Sequence, residues 1–248
     1  MSEIQNFSSL YTKYYDLLYA DKDYTGEFRY IFDLIQEYSK IQVSSVLDIG
    51  CGTGRHLQEF QKKGINVFGI DLSSSQLEQA KRNLGSNAVL QCANATIFSF
   101  SKKFDAIVSL FHVMSYQTSN EDLQKVFSNA AKHLEIGGVF LFDFWHGAGV
   151  LSDPPSIRVK RLQNADAKVI RLAEPEMLYN DNVVEVNYEI ISRNGSFKEQ
   201  HRMRYLFEQE LKFFAKLAGL EFITSYKWLS KEPLNKAWYG VCVLRREK

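Results

Sequence analysis

The clearest chemistry in the sequence lies in two carboxylates and a run of glycines. Val46-Leu47-Asp48-Ile49-Gly50-Cys51-Gly52-Thr53-Gly54-Arg55-His56 reads as a strand, a glycine-rich turn and a helix start. Glycines let the backbone turn sharply and approach a ligand closely, with the N–H groups of the helix start facing it. The next strand ends in Gly69-Ile70-Asp71-Leu72, which sets a carboxylate at its C-terminal edge, where it can accept hydrogen bonds from both hydroxyls of a ribose. An adenosine ligand is therefore expected, and Asp48 decides which one. The dinucleotide fingerprint is G-x-G-x-x-G, and its pyrophosphate is repelled by a carboxylate two residues before the first glycine. Here the spacing is G-x-G-x-G, and no Lys-Ser or Lys-Thr pair closes the run as a P-loop requires. A ligand with an ammonium and a sulfonium and no phosphate suits Asp48, which points to S-adenosylmethionine.

A second set of candidates sits where a later strand ends, in Ser109-Leu110-Phe111-His112-Val113-Met114-Ser115-Tyr116. His112 follows that strand at the sheet edge where α/β ligands bind, so it is a candidate base or substrate ligand, with a purely structural loop histidine as the alternative. Tyr116 is a candidate hydrogen-bond donor to substrate, or a packing residue. Asp143 and His146 flank Trp145 at the end of the fifth strand and are candidate sugar contacts; no further carboxylate stands at metal-ligand spacing, so no metal is expected. Asp153-Pro154-Pro155-Ser156 resembles the D-P-P-Y motif of adenine and cytosine amino-methyltransferases but follows the wrong strand, and reads as a loop breaker. Arg158, Lys160, Arg161, Lys168 and Arg171 form a basic stretch that reads as a solvated face, with a nucleotide diphosphate as the alternative partner. His56, His133 and His201 are read as structural or surface residues.

The elements that must position these residues follow from periodicity. Ser45 to Ile49, Val67 to Leu72, Ala88 to Cys92, Phe104 to Phe111 and Gly138 to Trp145 are mostly continuous apolar runs, as expected of parallel strands covered on both faces. Between them, Asn120 to Leu134 has helical spacing with Ser119 as N-cap, and a helix from Ser73 is expected to form a capping box with Gln76 and end near Gly85. Past the prolines, alternations over Val183 to Ile191 and Glu199 to Leu206 read as antiparallel strands. A helix, Glu208 to Ala218, then precedes Glu221 to Leu229 and Trp238 to Leu244, two strands expected to rejoin the main sheet as a hairpin. Tyr11, Tyr14, Tyr15 and Tyr19 share one helical face and are expected to form a lid. The expected organisation is a lid over 1–25, a cofactor-binding core over 26–150, an antiparallel insertion over 151–207 and a closing helix and hairpin over 208–248.

Composition narrows the partners. With 30 Lys and Arg against 29 Asp and Glu, the net charge of +1 lacks the long-range field that carries non-specific binding to nucleic acid or anionic membranes, so a small-molecule partner is expected. The three cysteines are far apart and form no metal or disulfide pattern, and no apolar run reaches a membrane span, which together imply a reducing, cytoplasmic setting. The antiparallel insertion offers an edge for a homodimer.

Through Val46 to His56, Gly69 to Ser73 and the third strand ending Cys92-Ala93-Asn94-Ala95, the chain resembles the class I S-adenosylmethionine-dependent methyltransferases. The resemblance implies a Rossmann-like α/β fold, with a seven-stranded, mostly parallel sheet covered by helices on both faces and a small antiparallel insertion. It implies cofactor contacts from Asp48, Gly50, Cys51, Gly52 and Gly54, with Asp71 on the ribose. Leu72 would pack on adenine, and Asn94, where the family usually has Asp, would accept from the adenine amine, with Ala95 and Leu110 beside it. Tyr14-Tyr15-Asp16-Leu17-Leu18-Tyr19, the Ser109 to Tyr116 stretch and the inserted strands look like the enzymes that dimethylate nucleotide-linked deoxy-amino-sugars. From those enzymes Tyr15 would close over the cofactor and the loop after the fourth strand would face the methyl group; Tyr14, Asp143 and His146 are the expected substrate contacts, and His112 and Tyr116 the expected catalytic residues. They differ from this chain in having a small hydroxyl residue in place of His112 and a His in place of Tyr116. Three readings stay open: a methyltransferase acting on an amine or, with His112 as base, on a hydroxyl; a nicotinamide oxidoreductase, which Asp48 disfavours; and a non-catalytic binder of the same cofactor.

Overall fold

The computed structural model describes residues 22–163, 168–193 and 195–247. The expected lid, with Tyr14 and Tyr15, lies outside the described residues. Strands β1 (Ser45–Ile49), β2 (Asn66–Asp71), β3 (Val89–Cys92), β4 (Phe104–Ser109) and β5 (Leu134–Trp145) run parallel. Then β6 (Arg158–Gln163), β7 (Lys168–Leu178), β8 (Val183–Ser192) and β9 (Gly195–Arg204) form a separate four-stranded antiparallel sheet. Finally β10 (Leu220–Lys227) and β11 (Tyr239–Arg246) return to the first sheet, β11 lying antiparallel to both β5 and β10. The main sheet has seven strands in the order β10-β11-β5-β4-β1-β2-β3. This is the Rossmann-like methyltransferase architecture expected from the sequence.

Both faces of that sheet are covered, which explains the unbroken apolar runs. Consecutive β1 residues alternate between two cores, Val46 packing with Leu34, Val108 and Leu141, and Leu47 with Phe104, Ile107 and Phe140. Helices α1 (Tyr24–Tyr38), α2 (Arg55–Lys62) and α3 (Ser74–Leu84) serve the first core, while α4 (Asn120–His133) and, past the short α5 (Gly147–Ser152), α6 (Glu208–Leu217) serve the second. Helix α1 begins at Tyr24 and contributes Phe28, Ile31, Leu34 and Ile35 to the core, crossing the boundary expected at residue 25. Ser119 caps α4 by accepting from Asp122 N–H at 3.0 Å, as expected.

Several sequence-based expectations need correction. Strand β4 stops at Ser109 rather than Phe111, because Phe111 and His112 both turn into the left-handed region at φ 67° and 64°. Strand β5 starts at Leu134, before Gly137 at φ 83° and a register shift against β4. Strand β9 begins at Gly195, earlier than Glu199, since β8 pairs with it along its whole length. At α3 the Ser73 side chain accepts from Gln76 N–H at 3.4 Å, but the returning half of the capping box is replaced: Ser73 N–H donates to Asp71 Oδ1 at 2.8 Å.

The order of strands fixes where a ligand can sit. Chain connections leave β1 toward β2 and re-enter at β4 on the other side, so the crevice lies over the C-terminal ends of β1 and β4. There Ser109 Oγ donates to Ile49 O at 3.0 Å, tying the two strand ends together.

Candidate active site

A cavity of about 890 Å³ opens over this crevice, within the range of small-molecule sites. It runs from the glycine turn to the inner face of the antiparallel sheet.

At one end the surface is mainly backbone. Gly50, Gly52 and Gly54 all have left-handed φ, at 80°, 54° and 78°. A Cβ on Gly50 would sit 2.5 Å from Val113 Cγ2, so both the turn and the approach of Val113 demand glycine there, and at Gly52 the left-handed backbone favours it. Asp71 holds the turn in place, with Oδ2 accepting from Gly52 N–H at 2.9 Å. Burial pushes the Asp71 carboxyl up, and the N–H groups of Ser73 and Gly52 pull part of that rise back. Leu72, beside it, is 71% exposed at the cavity wall.

Beneath the turn Asp48 is only 2% exposed, and its Oδ1 has no hydrogen-bond partner among the described residues. Burial, followed by the nearby Asp71 and Asp143 carboxylates, pushes its pKa up to about 8. A buried acceptor without a donor requires an explanation, and a positively charged ligand group brought to the turn supplies one. The same burial, with Asp48 and Asp71 alongside, pushes the Cys51 thiol up, so Cys51 is a neutral wall residue. The residues present therefore fit a cationic, adenosine-bearing cofactor.

Asn94 is placed at the cavity, but the role expected of its oxygen is not open to it. Asn94 Oδ1 accepts from both Thr96 N–H and Thr96 Oγ1, each at 2.9 Å, closing a local turn and using both lone pairs. That leaves the amide N–H₂ as the group of this side chain available to a ligand. Ala95 and Leu110 also line the cavity, whereas Gly54 and Asp48 lie behind it.

At the other end the surface is side chains. His112 lines the cavity, and its strained backbone is held by Asp143: His112 N–H donates to Oδ1 at 2.9 Å, and Nδ1 stands 2.9 Å from Oδ2 as an ion-pair contact outside hydrogen-bond alignment. The imidazole also stacks on Tyr239, with centroids 4.9 Å apart and 15° between planes. Burial raises the Asp143 carboxyl, but His112 and Lys22 outweigh it and the net shift is downward. Asp143 itself is 2% exposed and does not line the cavity, so it positions His112. His146 is not brought to the cavity either: its Nδ1 faces Ala237 O at 3.0 Å, and burial lowers its pKa. Trp145 does line it, and its indole N–H is buried with no partner among the described residues.

Tyr116 lines the cavity and its hydroxyl bonds His201 Nδ1 at 2.7 Å. His201 reaches in from β9 with Met203, opposite Tyr188 of β8 and Arg171 of β7, whose guanidinium carbon lies 5.2 Å from the Tyr188 ring centroid. Sequence reasoning missed His201, and read Arg171 as part of a solvated face. The available signal was the alternation in β9, where Glu199, His201 and Met203 fall on one buried face. His56 was also missed; it lines the cavity while its Nε2 pairs with Glu27 Oε2 at 2.9 Å. Among the described residues, no group of three or more His, Cys, Asp or Glu could hold a metal ion, and no helix is long and apolar enough to cross a membrane.

Residues 46–138 match the family model of a methyltransferase domain. The chain is 37% identical over 133 residues to the dTDP-3-amino-3,4,6-trideoxy-alpha-D-glucopyranose N,N-dimethyltransferase of Streptomyces venezuelae, covering 53% of this chain and 55% of that protein. It is 24% identical over 220 residues to the dTDP-3-amino-3,6-dideoxy-alpha-D-glucopyranose N,N-dimethyltransferase of Streptomyces fradiae, covering 87% and 85%. The chain spans about half the length, 55%, of the first of these curated relatives. Among solved structures, Streptomyces venezuelae DesVI superposes with a TM-score of 0.80 at 25% identity, over 97% of this chain and 100% of that one. The sugar N-methyltransferase KedS8 of Streptoalloteichus superposes with a TM-score of 0.78 at 24% identity, over 94% and 93%. Residues 46–138 thus match a methyltransferase domain, and the fold is the one shared with these solved methyltransferases.

Proposed function

We propose that this chain is an S-adenosylmethionine-dependent methyltransferase whose acceptor is the amine of a small nucleotide-linked amino-sugar. One observation carries the reading: a single cavity joins the glycine turn above the partnerless buried carboxylate of Asp48 to a wall of His112, Tyr116 and Trp145. The similarity to dTDP-amino-sugar dimethyltransferases supports the choice of acceptor. When bound, the cofactor supplies an electrophilic methyl group on a sulfonium.

This chain's residues bind and align. Asp71 takes the ribose hydroxyls with the lone pairs its backbone bonds leave over, Leu72 is covered by the adenine, and Asn94 donates an amide N–H to a ring nitrogen. Asp48 offsets the cofactor's positive charge across the turn. On the acceptor side Trp145 gives its free indole N–H to a sugar hydroxyl, and Arg171 meets diphosphate oxygens. Holding both reactants in line, away from water, is the main catalytic contribution. A second reading, transfer to a hydroxyl, is favoured by the placement of the His112 imidazole at the cavity beside the buried Asp143 carboxyl group.

Calorimetric titration with S-adenosylhomocysteine, with NAD as comparator, tests the cofactor. Micromolar binding of the first and none of the second is expected; binding of NAD alone would overturn the reading. Mass-spectrometric assay with dTDP-3-amino-3,6-dideoxyglucose then tests the acceptor, and products one and two methyl groups heavier are expected.

A further inference from the structure

From the contact between the two sheets we infer that Tyr116 is the group that takes the acceptor's proton, and that His201 and Glu199 of the antiparallel sheet receive and stabilise that proton behind it. The inference rests on the methyltransferase reading above and adds what the inserted sheet does chemically.

Three features place this line of groups. The Tyr116 hydroxyl and His201 Nδ1 are 2.7 Å apart and both residues face the cavity. His201 is 3% exposed, and its other nitrogen, Nε2, lies 3.6 Å from Glu199 Oε2. Glu199 is 1% exposed, a buried carboxyl group with the imidazole as a neighbour. The Glu199 contact at 3.6 Å lies outside hydrogen-bond range; in the tautomer with the proton on Nε2, toward that carboxyl group, Nδ1 is the acceptor and the Tyr116 O–H the donor. The order carboxylate, imidazole, hydroxyl is the arrangement by which a base activates a group it cannot reach alone.

The step balances within the chain. An amine at cavity pH arrives as an ammonium and has no lone pair for attack until an N–H bond breaks. Its proton passes to Tyr116 Oη as the Tyr116 proton passes to His201 Nδ1; the N–H electron pair stays on the acceptor nitrogen. His201 becomes an imidazolium beside the Glu199 carboxylate, and returns the proton to solvent after turnover. Tyr116 is thus the catalytic residue, while His201 and Glu199 act through it. Among the described residues His201 also faces Tyr188 on β8, edge-on at 5.2 Å between centroids, and Arg171 on β7 lies over the Tyr188 ring. On the main sheet, His112 is committed to Asp143 through both its backbone N–H and Nδ1, which fits it for shaping the loop.

The test uses the full chain with S-adenosylmethionine and dTDP-3-amino-3,6-dideoxyglucose. Tyr116→Phe removes one hydroxyl; it should keep wild-type affinity for S-adenosylhomocysteine, lower kcat by about a hundredfold and leave KM within about threefold, the usual cost of losing a general base. Glu199→Gln should move the acid limb of kcat against pH to lower pH, because the imidazolium loses its counter-charge. In an NMR titration of the S-adenosylhomocysteine complex, the same variant should lower the pH at which the His201 ring signals move. If Tyr116→Phe turns over like wild type, or if the acid limb and the His201 titration are unmoved in Glu199→Gln, the relay is wrong while the methyltransferase reading stands. If wild type transfers no methyl group to this acceptor, the function proposed above fails, and the relay fails with it.

Discussion

At the cofactor end of the cavity the working surface is main chain: the left-handed Gly50 and Gly52, the N–H groups they expose, and the Asp71 carboxylate bonded to Gly52 and Ser73. At the acceptor end it is side chains, gathered from β4, β5, β7, β9 and β11 and held by one another. The first end is short in sequence, since Gly50 to Asp71 contains the turn and its clamp. The second joins Tyr116 to His201 across 85 positions and His112 to Asp143 across 31. A backbone-built surface tolerates few substitutions, because each added atom meets something fixed; a surface of side chains can change its ligand while the sheet beneath stays as it is. The comparison predicts a rigid, general cofactor end and a specific, adjustable acceptor end.

Gly50→Ala should break the rigid end most severely. The added Cβ combines left-handed strain with a 2.5 Å approach to Val113, together about 2 to 5 kcal/mol, and should abolish binding of S-adenosylhomocysteine and lower the melting temperature. Binding within threefold of wild type would show that the turn yields. Next, Asp71→Ala should weaken that ligand ten- to a hundredfold by calorimetry, from the loss of charged hydrogen bonds worth about 2 to 3 kcal/mol.

Asp48 sharpens the comparison through pH. Its folded pKa of about 8 lies above its unfolded value, so the folded protein holds the proton more tightly, and ligand-free stability is fullest at low pH and is lost as pH rises toward 8. Urea melts at pH 5 and pH 7 should differ by roughly 2 to 3 kcal/mol from this group, and Asp48→Asn should remove most of that difference. Cofactor binding, which favours the ionised carboxylate, should release a proton, seen as a buffer-dependent calorimetric enthalpy. The smallest effect belongs to the adjustable end. His112→Ala should leave S-adenosylhomocysteine affinity within about twofold and lower turnover by about tenfold, about 1.4 kcal/mol; equal losses in both would erase the distinction between the two ends.

The same contrast governs what the sequence reveals. The parallel strands and α4 are legible because a strand buried on both faces must be apolar throughout, and a helix buried on one face repeats accordingly. The glycine turn is legible because its chemistry is local. The β4 end is not: nothing in Leu110-Phe111-His112 announces two left-handed residues, which depend on an aspartate from the next strand. Asn94 lines the cavity, but that its oxygen is taken by Thr96 depends on a local turn the sequence does not announce. His201 looks like any polar residue in an alternating strand until the second sheet packs on Tyr116, and His146 looks like a site residue until its ring is seen to face Ala237.

The return of β11 to the far side of β5 bears on how the chain is made. Residues Val139 to Trp145, with Phe140, Phe142 and Phe144 among them, pair with a strand about a hundred residues further along, a separation that slows closure. During synthesis the glycine turn and its first three strands can associate while this phenylalanine-rich edge still waits for its partner, with the whole antiparallel sheet to be completed in between. An open, apolar strand edge is the surface on which nascent chains join one another. Slow translation or early chaperone capture between residues 145 and 239 should therefore govern the yield of native protein more than any substitution at the active site.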